Sequence, residues 1–234
     1  MERNEMEIIE FEDSLKKDLE KIFEEIIKDM QGTINLRVQS RAGAEISDIF
    51  EKKFVEYANR NICANIFNPE CSPEGATKNP FDIKFNYKIN EHDELIWGDI
   101  KAFNSRYRNS NPDMGTINKV LKFMLDGHFY IVFILMQYTA IDDNTIILEK
   151  YPDTNSRVKV ELLKDIDKSF RLNPKNQLQV NYKAPFKYRT KKDFILLLEQ
   201  KYKESFEREF IKAEKKLKEA EKLFNKVKQI QKII

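Results

Sequence analysis

Residues 81–103 read FDIKFNYKINEHDELIWGDIKAF. Two runs rich in apolar, β-branched and aromatic residues, Phe81–Ile89 and Leu95–Phe103, flank Asn90-Glu91-His92-Asp93. That spacing predicts a β-hairpin. In a strand, residues two apart share a face, so Asp99 and Lys101 project together and Ile100 enters the opposite layer. Asp82 opens the partner strand, and the hairpin brings it close to Asp99.

Two carboxylates so placed repel unless a cation neutralises them. Mg²⁺ suits the position: it is hard, seeks oxygen, keeps several waters and often binds phosphate. The Ile100 backbone carbonyl offers another oxygen ligand. A metal held there would polarise a phosphate and lower the pKa of a bound water. Lys101 would orient that water, offset developing negative charge, or both. Glu45 is the fourth candidate catalytic residue and a metal ligand alongside Asp82 and Asp99. It lies in Arg41-Ala42-Gly43-Ala44-Glu45 at a helix start, within reach of the metal-bound water or a second ion. The small residues before it would let the helix end approach the sheet. The bland alternative is a set of surface salt bridges, because Asp-x-Lys alone is weak in a chain with 34% charged residues. Against it, Asp99 and Lys101 sit between Trp97 and Phe103, in a segment that reads as largely buried. Unpaired charges there would be costly.

The flanking segments alternate between helix and strand. Ile8, Phe11, Leu15, Leu19, Ile22 and Ile26 recur three and four apart and predict a helix from Glu5 to Met30, ended near Gly32. Gly43 to Asn59 carries a second helical stripe of Ile46, Ile49, Phe50, Phe54 and Tyr57. Ile62 to Lys78 holds two prolines, a glycine and several turn formers and reads as loop. Thr116 to Asp126 is helical and stops at Gly127. Phe129 to Tyr138 is a continuous apolar run suited to a central strand buried on both faces. Helix, strand, strand, helix, strand implies an α+β fold: a mixed sheet flanked by helices. Ile146–Glu149 and Val158–Leu162 read as a second hairpin, and Gln177–Tyr182 as an edge strand. From Thr190, an N-cap, a helix runs to the end. Its residues Phe206, Phe210, Ala213, Leu217, Ala220, Phe224 and Val227 form a heptad stripe. About 40 residues at roughly 1.5 Å each would span about 60 Å, more than a compact domain of this size, so part of the helix needs a second long helix as partner. The first helix of the same chain and the same helix of a second subunit are the candidates. The chain reads as one domain, 1–234, with 1–32 and 190–234 as helical appendages.

The bulk numbers narrow the class. The net charge of +2 in 234 residues is uninformative, but its distribution is not. Lys168 to Lys192 contains eight basic residues and no acid, with Asn, Gln, Tyr and Phe interleaved. Lys101 to Pro112 is likewise basic. Such local positive faces fit a polyanion. Cys63 and Cys71 read as reduced thiols. The longest apolar run, Phe129–Met136, is too short to span a bilayer, and the N-terminal residues lack the pattern of a signal peptide, so the reading is a cytoplasmic protein without a membrane segment. Scattered glycines provide no phosphate loop, and the two histidines, His92 and His128, lack zinc spacing.

Glu45, Asp82 and Asp99-Ile100-Lys101 resemble the motif of the PD-(D/E)XK nuclease superfamily, whose core is helix, three strands, helix, strand. The proline here is two residues before Asp82 rather than adjacent to it. A closer resemblance runs through residues 41–48 (RAGAEISD), 77–82 (TKNPFD), 110–116 (SNPDMGT), 169–175 (SFRLNPK), 179–181 (QVN) and 205–208 (SFER). Together these are similar to SwaI-type restriction endonucleases. The resemblance implies a type II enzyme: a homodimer that cuts double-stranded DNA at an AT-rich palindrome with Mg²⁺. Amide side chains read adenine in the major groove, which nominates Asn104, Asn109, Asn111, Asn118, Asn173, Gln177, Gln179 and Asn181; a capping or turn role is the alternative for each. Arg106, Arg108, Lys119, Lys122, Arg171, Lys175 and Arg189 are expected on phosphates. Arg41, Lys78 and Asn79 join them from the motifs beside the site. The rival readings are a structure-directed nuclease of the same fold and a non-catalytic DNA-binding coiled-coil protein.

Overall fold

The computed structural model describes residues 3–36, 42–60, 62–73, 81–106, 113–182 and 184–231. Helix α1 (Arg3–Asp29) buries Phe11, Leu15, Leu19, Ile22 and Ile26, the stripe its spacing predicts. Gly32, at φ 68°, turns the chain into β1 (Thr33–Asn35). Helix α2 (Ala42–Ala58) packs its buried Phe50 and Phe54 against Phe23 of α1 in stacked pairs. Strands β2 (Ile66–Cys71), β3 (Ile83–Ile89) and β4 (His92–Asn104) follow as an antiparallel meander. Then come β5 (Asp113–Thr116), α3 (Ile117–Leu125), β6 (Ile131–Ala140), β7 (Thr145–Glu149) and β8 (Val158–Leu162). The chain closes with β9 (Arg171–Leu172), β10 (Gln177–Gln179) and the 40-residue α4 (Lys191–Ile230).

The fold is mixed α+β. The main sheet has the order β1-β7-β6-β4-β3-β2, with β8 also paired to β6. Only β4 and β6 run parallel in it, in a register that sets Asp99 beside Phe133 and Lys101 beside Leu135. A parallel pair needs a crossover, and α3 supplies it. On one face α1 and α2 cover Ile83, Phe85, Ile96, Ile100, Val132 and Ile134. On the other, Phe133 and Leu135 join a second core with α3, the small sheet β5-β10-β9 and the start of α4. The small sheet thus stands on the face to which Asp99 and Lys101 project.

Four expectations change. The hairpin turn is two residues tighter, because Ile89 pairs with His92 and Asn90 adopts φ 52°. The segment after Ile62 contains the edge strand β2, despite Pro69. The register shifts between Phe67 and Glu70, Asn68 sits at φ 49°, and an edge strand tolerates a residue with no N–H. β7 and β8 do not form a hairpin with each other; each pairs with a different half of the longer β6. Gln177–Gln179 is the centre of the small sheet, not an edge.

Gly43 fixes how closely α2 approaches the sheet. A Cβ there would lie 2.5 Å from the backbone oxygen of Ala102 in β4. Gly43→Ala should therefore push α2 off β4 and lower stability by about 2 kcal/mol, the scale of overpacking. Thermal unfolding of that variant beside Ala44→Gly, an exposed neighbour, checks this; equal melting temperatures would refute it.

Candidate active site

Asp82 lies just before β3, yet it is held as firmly as a ladder residue. Its N–H donates to the Gly98 carbonyl at 2.9 Å, and its own carbonyl accepts from the Ser72 N–H at 2.8 Å. Its side-chain Oδ2 accepts the Ile100 N–H at 2.7 Å. One strand over, Asp99 Oδ1 meets Lys101 Nζ at 2.6 Å, with the two side chains 13% and 23% exposed. Among the described residues the buried Asp99 Oδ2 meets no N–H or hydroxyl donor, and the Asp82 carboxyl hydrogen-bonds the Asp99 carboxylate through the proton it keeps. Asp82, Asp99 and Lys101 are therefore one cluster, as the alternation along β4 predicts, with Ile100 buried in the opposite layer.

Burial, and then the charge of Asp99, push the Asp82 carboxyl up to about 8, although Lys101 and the Ile100 N–H oppose the shift. Burial alone would lower Lys101; the Asp99 and Asp82 carboxylates outweigh it and hold the ammonium above its ordinary value. Two carboxylates share one ammonium, and one of them answers the surplus negative charge by keeping a proton.

Aromatic rings brace both ends of this segment of β4. Trp97 stacks on Phe123 of α3, with centroids 3.9 Å apart. Phe103 stacks on Tyr182, which follows the small sheet. Trp97 is thus a bridge from the catalytic strand to the second core rather than a plain core residue.

The α2 carboxylates Glu45 and Glu51 occupy different environments. Glu45 is exposed in the first turn of α2. Glu51 instead is buried, accepts the Ser72 hydroxyl at 2.8 Å, and lies within electrostatic reach of Asp99 and Lys101. Burial, with Asp48 and Asp99 adding to it, raises the Glu51 carboxyl. The Ile100 carbonyl accepts the Ser47 hydroxyl at 2.9 Å, so a helix–strand tether already uses it. Gly43, Ser47 and Glu51 are four apart and define the α2 edge that meets β4 and the strand ends. That spacing was the available signal for Glu51; the apolar stripe beside it masked it.

The oxygen set fits a hard cation. Among the described residues, no three His, Cys, Asp or Glu side chains form a metal cage. Mg²⁺ needs none, since it commonly takes one or two carboxylates and keeps its waters. The Asp82 and Asp99 carboxyls, held together by one proton in the absence of metal, are the oxygens such an ion would take in that proton's place.

The expected DNA contacts separate into groups. Arg41, Lys78, Asn79, Arg108, Asn109 and Asn111 lie outside the described residues. Asn104 caps a turn, accepting the Arg106 N–H, and Asn173 accepts the Lys175 and Gln177 N–H groups. Arg106, Lys122 and Lys175 are exposed. Asn118 Oδ1 accepts the Tyr202 hydroxyl, and Arg171 Nε donates to Gln179. Gln177 and Gln179 share β10, and Asn181 follows it. Arg189 is committed inward: its guanidinium donates to the Lys164 and Ile166 carbonyls, and its N–H to Asp165. That occupied side chain is no longer a phosphate candidate.

An Asp–Asp–Lys cluster at the open end of a hairpin could hold a hard cation beside a phosphate. The chain belongs to the SwaI-like restriction endonuclease family, whose model matches residues 7–220. Among solved structures, the NlaIV restriction endonuclease aligns over 77% of each chain, with 11% identity and a TM-score of 0.44. No curated protein sequence matches. No described helix is long and apolar enough to cross a membrane.

Proposed function

We propose that this type II nuclease, a single catalytic domain in which α1 is part of the core and the long α4 is the appendage, hydrolyses a phosphodiester in each strand of an AT-rich palindrome, as a homodimer with Mg²⁺. The Asp82–Asp99–Lys101 cluster, two adjacent buried carboxyls sharing one ammonium, carries this reading. Asp82 and Asp99 would hold the ion, and Glu45 or Glu51, the latter within electrostatic reach of Asp99, would support it. When bound, the ion polarises the phosphate and acidifies water. Water adds to phosphorus and the bond to the 3′-oxygen breaks, leaving a 5′-phosphate and a 3′-hydroxyl. Lys101, kept as an ammonium by the two carboxylates, donates to the water or a phosphate oxygen and offsets the growing negative charge. It serves as a charge and an orienting donor rather than as a base. Gln177, Gln179 and Asn181, on and just after β10, would read adenine in the major groove.

A palindrome requires two-fold symmetry. Support for a dimer comes from α4, where Phe210, Leu217 and Phe224 are 64%, 62% and 63% exposed along the heptad stripe. An identical helix supplies the complementary stripe. Phe210→Glu with Phe224→Glu should yield monomers by light scattering and reduce double-strand cleavage at least tenfold; an unchanged dimer would exclude this interface.

The direct test incubates the protein with long AT-rich duplex DNA in Mg²⁺ or in EDTA. Sharp, metal-dependent bands are expected, and sequencing the ends would define the site. A smear would favour a structure-directed nuclease. Intact DNA in both Mg²⁺ and Mn²⁺ would favour a binding protein.

A further inference from the structure

Tyr182 is not needed to fill space with a phenol. Its ring lies parallel to Phe103 at 6.3 Å and meets the edge of Phe133 at 5.3 Å, contacts that a phenylalanine would make equally well. Its hydroxyl is buried and, among the described residues, has no hydrogen-bond partner. A buried unpaired hydroxyl is destabilising, so such a group calls for an explanation. A phenol is a hydrogen-bond donor at ordinary pH, and this one lies within electrostatic reach of the Asp99 and Asp82 carboxylates. The same neighbourhood holds the Asp82 and Asp99 carboxyls, paired through the proton that Asp82 keeps. A hydrated cation that displaced that proton would offer the hydroxyl a water to donate to.

We propose that Tyr182 is a positioning residue of the catalytic centre, whose hydroxyl donates to the hydration shell of the divalent cation taken up by Asp82 and Asp99. This rests on the cation reading of that pair. Tyr182 follows β10 with only Val180, which is buried, and Asn181 between. The hydroxyl is therefore carried by the segment that also bears Gln177 and Gln179.

The test compares the full-length chain with Tyr182→Phe. Mn²⁺ binding without DNA is measured by calorimetry, melting temperature in EDTA, and cleavage across a Mn²⁺ series. The expected result is about tenfold weaker Mn²⁺ binding, the usual scale for losing an outer partner of a metal site. Cleavage should need correspondingly more Mn²⁺. The melting temperature in EDTA should hold or rise, since an unpaired buried hydroxyl has been removed. Unchanged Mn²⁺ affinity would overturn the inference. So would a lower melting temperature, because a hydroxyl without a partner contributes nothing to the metal-free fold. A parent protein that binds no Mn²⁺ and cuts no duplex would fail in every variant; that result removes the cation reading itself, and this inference with it.

Discussion

Lys101→Ala should cleave DNA slower by on the order of 10³-fold, the scale for removing a donor aimed at developing charge. Binding to the same site, measured by gel shift in Ca²⁺, should stay within about threefold. The split follows from where the side chain sits. Lys101 is only 23% exposed and spends its ammonium on Asp99 at 2.6 Å, so it is not on the surface that grips the phosphate backbone. Its charge matters at the reacting group rather than across the interface. Lys101→Arg should not restore the rate, because a planar guanidinium cannot replace a compact ammonium in this closed space. A Lys101→Ala enzyme cutting at the parental rate would remove the residue from the mechanism.

Asp82→Asn should abolish cleavage on a similar scale and yet make the cation-free protein more stable at alkaline pH. In the fold Asp82 keeps its proton up to about pH 8, against 3.8 for the ordinary carboxyl. Between those values the folded chain binds the extra proton, so stability falls as pH rises through that window. The contribution is fully present below pH 4 and lost above about pH 8. Asparagine cannot ionise, so the Asp82 share of that slope is missing from the variant's curve. Denaturant titrations in EDTA should show the two proteins equal near pH 4 and the variant ahead by about 2 kcal/mol at pH 8, an order-of-magnitude figure for one buried carboxylate with a partner nearby. Parallel curves between pH 5 and 8 would mean that Asp82 is ionised throughout and the shared-proton description is wrong.

What the sequence discloses depends on which residues carry periodicity. Helices α1, α2, α3 and α4, the hairpin and β6 each repeat apolar residues at helical or strand spacing, and all were legible. The cluster of Asp82, Asp99 and Lys101 was legible because strand alternation fixes which side chains share a face. The remainder depends on partners distant in sequence. β2 hides behind Pro69 because its pairing with β3, not its composition, makes it a strand. β7 and β8 look like a hairpin until the length of β6 accommodates both. Glu51 lies at the polar margin of an apolar stripe, and only the approach of α2 to β4 turns that margin inward. The Ile100 carbonyl was available by sequence, but Ser47 reaches it from 53 residues away. Gln177 to Gln179 gained its central position from β5 and β9, short strands with little signal of their own.

The bare outer half of α4 also sets a dose response. If only a second copy closes that stripe, paired chains rise with the square of chain concentration at low abundance and linearly once pairing saturates. A few molecules would stay apart and leave duplexes whole; somewhat more would cut abruptly. The helix would then act as a threshold, read out as enzyme abundance rather than as affinity for any sequence. Plotting initial rate against protein concentration on one axis pair would reveal it as a slope of two giving way to one.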